Sequence, residues 1–456
     1  MLGVSGLRGL VGRSLTPEVA ARYGSAVGTW FASAGGTAQP HIVMGRDSRP
    51  SGAWVAAAAT AGLAAAGCRV TDLGIATTPA VAVMVEHLHA DGGMVITASH
   101  NPIVWNGIKT LRRDGCAPPP EQAARIVGLF KEGPLTFAAP DTATPLARDD
   151  SAAKVHVERV LAHVDAAAIR AAKLTVVVDS VHGAGGDEAA MLLDALGVTR
   201  VHLYAEPTGQ FPHPPEPTRE HLTELAAAVA KAGAAVGFAQ DPDADRLAVV
   251  DERGAYIGEE YTLALCAMHV LAAGRPSQAN GPITLAANLS TSRMLDDLAQ
   301  RHGGRVIRTP VGEASVAAAM RQHHALIGGE GNGGVIWPKV IHVRDSIAGM
   351  ALILELLATR RQPLSALAAE IPSYAIVKDK VELSPGLDVA GVLRRVAAAF
   401  PDAGRDTQDG VRLDWPDRWV HVRASNTEPI LRFIAEARDA ADAHALIDRV
   451  RQSLVS

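Results

Sequence analysis

The segment Thr97-Ala98-Ser99-His100-Asn101-Pro102 places a hydroxyl after an apolar run, Gly92-Gly93-Met94-Val95-Ile96, and shortly before a proline that ends regular structure. A strand delivering a nucleophile to an exposed loop has this form, because loops at strand ends carry chemistry. A turn serine before Asn-Pro has it as well, so the reading depends on what else the chain offers. It offers Asp241-Pro242-Asp243-Ala244-Asp245-Arg246. Three carboxylates in five residues repel one another unless a cation lies between them, and an all-oxygen donor set favours a hard ion. Mg²⁺ suits such a site when it also holds a phosphate; the alternative is a solvated acidic turn. Asp241, Asp243, Asp245 and Glu252 match the first, third, fifth and twelfth positions of a calcium-binding helix–loop–helix. That match fails, because Arg246 stands where glycine is required and residues 247–250 read as a strand.

Two further clusters have the same form. In Gly328-Gly329-Glu330-Gly331-Asn332-Gly333-Gly334, five glycines let the backbone approach a ligand and leave Glu330 free to accept hydrogen bonds from hydroxyls. Asn-Gly between apolar runs is equally a hairpin signal. Arg423-Ala424-Ser425-Asn426-Thr427-Glu428-Pro429 gathers an arginine, two hydroxyls and an amide, which suit a phosphate that is held and not cleaved. An ordinary polar turn, with Ser425 and Asn426 bonding their own backbone, competes with that description. Lys109, in Asn106-Gly107-Ile108-Lys109, could return an ammonium to Ser99 as acid or base. Ser5-Gly6-Leu7-Arg8-Gly9 reads as a flexible loop whose Arg8 could meet the same phosphate. His100 invites a Ser–His pair; without an orienting carboxylate or a Gly-x-Ser-x-Gly turn it reads as a supporting residue.

The elements that must position these clusters alternate. Strands are expected at 41–45, 69–73 and 94–97, with alanine-rich helices at 52–67 and 79–88, the pattern of a parallel or mixed α/β sheet. Residues 133–150, rich in Pro, Thr and Ala, read as a linker. The pattern restarts with strands at 174–178, 234–238 and 247–250. It restarts again from about 251, with a helix at 260–273 and strands at 283–286 and 305–307. Beyond 373 the order changes. Strands at 374–377, 419–423 and 430–437 precede a helix at 441–454 whose Leu446, Val450 and Leu454 share a face, which predicts a smaller α+β domain. The expected domains are 1–149 with the serine loop, 150–250 with the acidic loop, 251–370 with the glycine-rich loop and 371–456 with the arginine loop.

Composition narrows the partners. At 456 residues, of which 48% are hydrophobic and 4% aromatic, the chain should bury aliphatic, helix-rich cores in several domains. A net charge of −5 without a basic block argues against nucleic acid. No run of about 18 strongly apolar residues suggests a membrane span. The first residues lack the charged start and apolar stretch of a secretory leader. Cys68, Cys116 and Cys266 have no metal or redox spacing, so the cytoplasm is the expected compartment.

From Ser5-Gly6-Leu7-Arg8-Gly9 to the 423–429 cluster, these motifs in this order resemble the α-D-phosphohexomutases: phosphoglucomutases, phosphomannomutases and phosphoglucosamine mutases. The resemblance spans nearly the whole chain. It implies an α/β fold of three related mixed α/β domains plus a C-terminal α+β domain around a central cleft. It implies that Ser99 carries a phosphoryl group, and that Asp241, Asp243 and Asp245 hold Mg²⁺ together with a phosphate oxygen on Ser99. Glu330 and Asn332, flanked by Gly331 and Gly333, would contact sugar hydroxyls; Arg423, Ser425, Asn426 and Thr427 would grip the distal phosphate. Lys109 matches a general acid/base, while Arg8 and Arg246 fall where the transferred phosphate is stabilised. Two positions depart from the commoner pattern: Asn332 replaces a serine, and Glu313 follows Thr309-Pro310-Val311-Gly312 where lysine is frequent. Both variants resemble a subgroup tied to phosphoglucosamine or phosphomannose conversion.

The implied reaction interconverts hexose 6-phosphate and hexose 1-phosphate through a phosphoserine enzyme, with a hexose 1,6-bisphosphate as intermediate and activator. Glucosamine is the first choice of sugar, mannose and glucose the alternatives. Two rival classes use the same residues. A metal-dependent sugar phosphatase would release free phosphate, and a non-catalytic sugar-phosphate-binding protein would have no turnover to lose. A mutase must exclude water from its phosphoenzyme. Its distal grip must also accept either end of the sugar, which favours a separate domain that can swing. The sequence assigns no oligomeric state.

Overall fold

A strand with apolar residues on both faces must be covered on both, and the alanine-rich helices supply that cover. The result, in a computed structural model that describes residues 2–3, 6–35, 39–139, 141–142, 144–274, 282–384, 388–425 and 430–455, is four sheets in chain order. In the first, His41–Arg46 runs parallel to both Gly92–Ile96 and Arg69–Ile75, and every residue of Gly92–Ile96 is buried. Trp105–Arg112 then returns antiparallel to Gly92–Ile96. The second sheet sets Thr175–Asp179 between parallel neighbours Thr199–Leu203 and Val236–Gln240, and Leu247–Asp251 returns antiparallel to the latter. In the third, Ile283–Asn288 lies parallel to Gly304–Thr309 and Gly328–Glu330, and Gly334–Ile336 returns antiparallel. The fourth, Ala375–Glu382, Gly404–Asp406, Val411–Asp414, Trp419–Ala424 and Ile430–Ala437, is antiparallel throughout and is closed by the helix Ala440–Val455. This is the expected fold class, three mixed α/β units followed by one α+β unit.

One regularity matters for function. Each chemistry-bearing cluster is the connection between two antiparallel neighbours: 97–104, 241–246, 331–333 and 425–429. The glycine-rich cluster is therefore a hairpin, as Asn-Gly suggests, and its turn also lines a cavity.

Two expectations are corrected. Gly6–Leu10 is not a flexible loop but a strand antiparallel to Trp105–Arg112, with Arg8 opposite Gly107. Five residues carry too little pattern to announce a strand, and its main partner lies about a hundred residues away, with only Leu2–Gly3 pairing on its other side. Gly6 must be glycine there: its φ is +104°, and a Cβ would fall 2.1 Å from the Ile108 carbonyl oxygen. Ser5 lies outside the described residues. The stretch 133–150 is not all linker, since Leu146–Arg148 pairs in parallel with Arg69–Ile75. This edge strand is exposed at all three residues, so no apolar alternation marks it.

One apolar core runs through the first three units. Its centre is the helix Ser346–Arg360, buried almost all round, as a helix at the heart of a large core must be. The fourth unit has a core of its own, including Phe400, Phe433, Leu446 and Val450. The side chain of Leu454 lies outside the described residues. All three cysteines are buried and unbridged, and no described helix is long and apolar enough to cross a membrane.

Candidate active site

Ser99 opens the turn after Gly92–Ile96 with φ +52°, a left-handed conformation that costs a non-glycine residue roughly 1–3 kcal/mol. Its Oγ donates to Asp241 Oδ2 at 2.8 Å and lies 3.3 Å from His100 Nδ1. Its amide donates to Thr97 Oγ1 at 2.9 Å, and that hydroxyl donates to Asp47 Oδ2 at 2.7 Å.

Asp241, Asp243 and Asp245 share the next turn, folded tightly at Ala244 (φ +54°), and all three are fully buried. One oxygen from each falls within 4.8 Å of the others. Asp243 Oδ1 and Asp245 Oδ1 are buried and accept no hydrogen bond among the described residues. A buried carboxylate oxygen without a donor is expensive. Two such oxygens in an all-oxygen cluster fit a hard divalent cation.

Cations surround the turn. Lys109 Nζ donates to Asp243 at 2.6 Å and Asp245 at 3.0 Å, and Arg344 Nη2 donates to Asp245 at 2.6 Å. Thr78 Oγ1 donates to Asp243 Oδ2 at 2.7 Å, and the Arg246 amide donates to Asp241 Oδ1 at 3.2 Å. Burial, then Asp243 and Asp245, push Asp241 well above the usual carboxylate range. Burial acts upward on Asp245 too, but Arg344, Lys109 and Arg246 together hold it below that range. Burial acts downward on Lys109, and the two aspartates overcome it and keep the ammonium charged. His100 is pushed down to about 2, first by burial and then by Arg246 and Arg8, so its ring is neutral; with the single Ser99 proton directed at Asp241, the Nδ1–H tautomer is the one that can bond Oγ. Its Nε2 lies 3.8 Å from Glu216, beyond hydrogen-bond reach, so no carboxylate orients a Ser–His pair here. Arg8 stands on the strand beside Lys109, where burial lowers its pKa and Asp243 and Asp245 act in the other direction.

Arg344 joins this cluster to the next. Its Nη1 donates to Glu330 Oε2 at 2.8 Å and its Nε to Glu313 Oε2 at 3.0 Å. Glu330 Oε1 accepts from Asn288 Nδ2 at 2.8 Å and from the Gly312 amide at 3.1 Å. Glu330, Gly331 and Asn332 line a cavity of about 580 Å³, and Arg423, Lys378, Lys380 and Arg432 line it from the fourth unit. Gly333 holds φ +83° against the Leu247 backbone, tying this turn to the acidic one. Arg423 Nε donates to Asp409 Oδ2 at 3.0 Å, and the Ser425 amide donates to the Ile430 carbonyl. Asn426 and Thr427 lie outside the described residues.

The structure therefore brings Ser99, His100, Lys109, Arg8, the three aspartates and Arg246 into one cluster, joins Glu330 to it through Arg344, and sets Arg423 across the cavity. Glu252 turns instead to Ser365, away from the aspartates. Sequence reasoning missed Arg344, Thr78, Asn288, Asp47 and Arg49. Only the last two had a signal, since Arg46-Asp47-Ser48-Arg49-Pro50 is another polar burst at a strand end.

The four units coincide with four family models. Residues 1–136, 154–254 and 259–374 match the alpha/beta/alpha domains I, II and III of phosphoglucomutase/phosphomannomutase, and residues 377–453 match its C-terminal domain. The chain belongs to the phosphoglucomutase/phosphomannomutase family. It is 39% identical to a phosphoglucomutase/phosphomannomutase of Thermococcus kodakarensis over 98% of this chain and 97% of the relative. It is 38% identical to a probable phosphoglucosamine mutase of Methanopyrus kandleri over 98% and 96%. A crystal structure of a family protein from Burkholderia thailandensis superposes with a TM-score of 0.85 at 29% identity, covering 100% of this chain and 98% of the other. In the family's terms, Ser99 lies in domain I, the aspartate triad in domain II, Glu330 in domain III and Arg423 in domain IV.

Proposed function

We propose that this family member is a phosphohexomutase, an isomerase that interconverts hexose 6-phosphate and hexose 1-phosphate, with Ser99 as the phosphoryl carrier and glucosamine phosphate as its preferred substrate. The observation that carries the proposal is the Ser99 hydroxyl, buried to 1% exposure and 2.8 Å from the first of three clustered aspartates. In the first half-reaction the P–O bond to Ser99 Oγ breaks as a new one forms to the free sugar hydroxyl. The hydroxyl proton is given up, a proton returns to Oγ, and hexose 1,6-bisphosphate results. After that intermediate turns round, its other phosphate returns to Ser99 by the reverse step.

Asp241, Asp243 and Asp245 would hold the divalent ion, Mg²⁺ by the character of the donors; when bound, it offsets charge on the transferring group. Lys109, Arg8 and Arg246 add fixed positive charge on the same side, most of which is preorganised before substrate arrives. Neutral His100 orients the Ser99 hydroxyl. Glu330 and Asn332 face the sugar, and Arg423 with its neighbours holds the phosphate that is not reacting. The preference for an amino sugar is supported by Asn332 and Glu313 and by the name of the Methanopyrus relative. The Thermococcus relative's name keeps mannose and glucose in view.

Purified protein assayed with glucosamine, mannose and glucose 6-phosphates, each with a matching 1,6-bisphosphate, should favour the amino sugar at least tenfold in kcat/KM. Comparable turnover on all three would remove the sugar preference. Peptide mass spectrometry after incubation with the bisphosphate should find phosphate on Ser99. Ser99→Ala should abolish turnover while leaving phosphosugar binding intact. A Ser99 that never acquires phosphate would remove the mutase itself, and steady release of free phosphate would favour the phosphatase.

A further inference from the structure

Arg49 touches none of the groups just described as reacting, yet its position is tightly constrained. It is fully buried. A guanidinium carries five N–H donors, and here all five find acceptors. Nε donates to Asp47 Oδ2 at 3.0 Å. Nη1 donates to the carbonyls of Pro102 at 2.9 Å and Trp105 at 3.2 Å. Nη2 donates to the carbonyls of Ser99 and Asn101, both at 2.6 Å. Simple neutralisation of Asp47 would favour two parallel bonds to one carboxylate. Four of the five go instead to the backbone of one segment, three to the loop that carries Ser99 and one to the first residue of the strand after it.

The cost of this arrangement points to its purpose. Taking a guanidinium out of water is unfavourable by several kcal/mol before its partners are counted, and the left-handed turn at Ser99 adds strain. Such a conformation persists only where its surroundings over-determine it. Both peptide groups of Ser99 are tethered: its amide to Thr97 Oγ1, its carbonyl to Arg49. Both tethers end on one atom, Asp47 Oδ2, which accepts from Thr97 Oγ1 and from Arg49 Nε. The φ and ψ of Ser99 are thus set from a single buried fulcrum. Domain II keeps that fulcrum dry. The Phe211 ring lies 5.0 Å from the Arg49 guanidinium carbon, and Gly209 packs so closely that a Cβ there would fall 2.1 Å from the Ser48 carbonyl oxygen.

We propose that Arg49 is a positioning residue for phosphoryl transfer: its guanidinium, fanned onto the carbonyls of Ser99, Asn101, Pro102 and Trp105, holds the loop in the one turn that aims Ser99 Oγ at the aspartate triad. The role rests on Ser99 being the phosphoryl carrier. Lysine cannot substitute, because three tetrahedral donors cannot reach four carbonyls spread around a plane.

Arg49→Lys keeps the charge and loses the fan. Its kcat, normalised to the folded fraction by circular dichroism, should fall about 100-fold, the loss that displacement of reacting atoms by about 1 Å brings. KM for the phosphosugar should stay within threefold, because the lost interaction does not touch bound substrate. Arg49→Ala should regain at least tenfold of its lost kcat on addition of guanidinium ion, a rescue that a general packing role would not give. Thr97→Val removes the hydroxyl that ties the Ser99 amide to Asp47 while leaving Arg49 in place. It carries the same test through a smaller change, with about tenfold expected in kcat and none in KM. Arg49→Lys or Thr97→Val within twofold of wild type in kcat, a loss confined to KM, or an Arg49→Ala protein that folds and ignores guanidinium would each overturn the role. Wild type that never carries phosphate on Ser99 would remove the carrier, and with it the proposed function. Phosphorylated wild type beside an undiminished Arg49→Lys variant would remove only Arg49.

Discussion

Where domains I, II and III meet, the imidazole of His156 lies fully buried between Glu188 Oε1 and Asp345 Oδ2, each at 2.8 Å. Thr77 of domain I donates to the other oxygen of Glu188 at 2.7 Å, and its neighbour Thr78 holds Asp243 of the triad. Where domain IV meets domain III, a second buried histidine plays a different part. His421 Nε2 donates to the Asp409 carbonyl, Nδ1 faces Ser290 Oγ at 2.8 Å, and the remaining contacts, such as Arg293 to the Pro416 carbonyl, are polar. Burial acts downward on His156, but Asp345 and Glu188 outweigh it and raise it to about 10, so it is an imidazolium. Burial, assisted by Arg423 and Arg412, pushes His421 down to about 4, so it is neutral. One seam is an ion triad within a shared apolar core. The other is a set of polar contacts built round a neutral histidine, with the Lys378–Glu259 ion pair at its exposed side, beside a cavity and between two separate cores. The groups assigned to the transfer are therefore fixed to one another, while Arg423, assigned to the distal phosphate, sits on a unit whose interface resembles those that permit domain motion.

That contrast can be broken by experiment. Lys109→Met acts on the fixed side and should lower kcat by about 10²–10⁴-fold, the usual worth of a positioned acid or base. Phosphosugar affinity by calorimetry should stay within threefold; a loss of affinity equal to the loss of rate would merge the two sides. His156→Leu leaves two carboxylates buried without their counter-ion and should destabilise the protein by about 3–5 kcal/mol in urea unfolding. A change below about 1 kcal/mol would mean that apolar packing alone holds the seam. Because the folded pKa of His156 is raised, its stabilisation is complete below about 6.5 and is lost as pH rises toward about 10. The difference in stability between wild type and variant should shrink over that window. Arg423→Ala acts on the gripping side. Hydrogen bonds to charged groups contribute about 1.5–3 kcal/mol, so KM should rise roughly 10–100-fold with kcat changed far less; a pure kcat effect would place Arg423 with the reacting groups.

How much of this was legible in the sequence follows from the same division. Ser99, the aspartates and Glu330 each interrupt two apolar runs that turn out to be antiparallel neighbours, so local pattern sufficed to find them. Arg344, Thr78 and His156 act through partners 99, 165 and 189 residues away. Nothing in the neighbourhood of a lone arginine, threonine or histidine announces such a partner. Glu313 shows an intermediate case: the acid in place of a common lysine was visible, but its meaning, a partner for Arg344, required the fold. The strands Gly6–Leu10 and Leu146–Arg148 escaped because short flanking strands need hydrogen bonds more than a buried face.

The smallest expected effect is the one that discriminates best between the seams. Ser290→Ala removes a single neutral hydrogen bond to His421 and should cost about 0.5–1.5 kcal/mol, with kcat within twofold. Acid should act through the same contact. A histidine whose folded pKa is depressed stabilises the fold fully above about 6.5 and ceases to do so as pH falls toward about 4, since the unfolded chain then binds the proton first. His421→Gln keeps a donor for the Asp409 carbonyl but does not titrate. Its stability should fall less than wild type's between pH 6.5 and 4, and the protection of domain IV amides from hydrogen exchange should follow. Parallel pH profiles for the two proteins would show that the domain III–IV contact is indifferent to the charge on His421, and the two histidines would then no longer mark two kinds of seam.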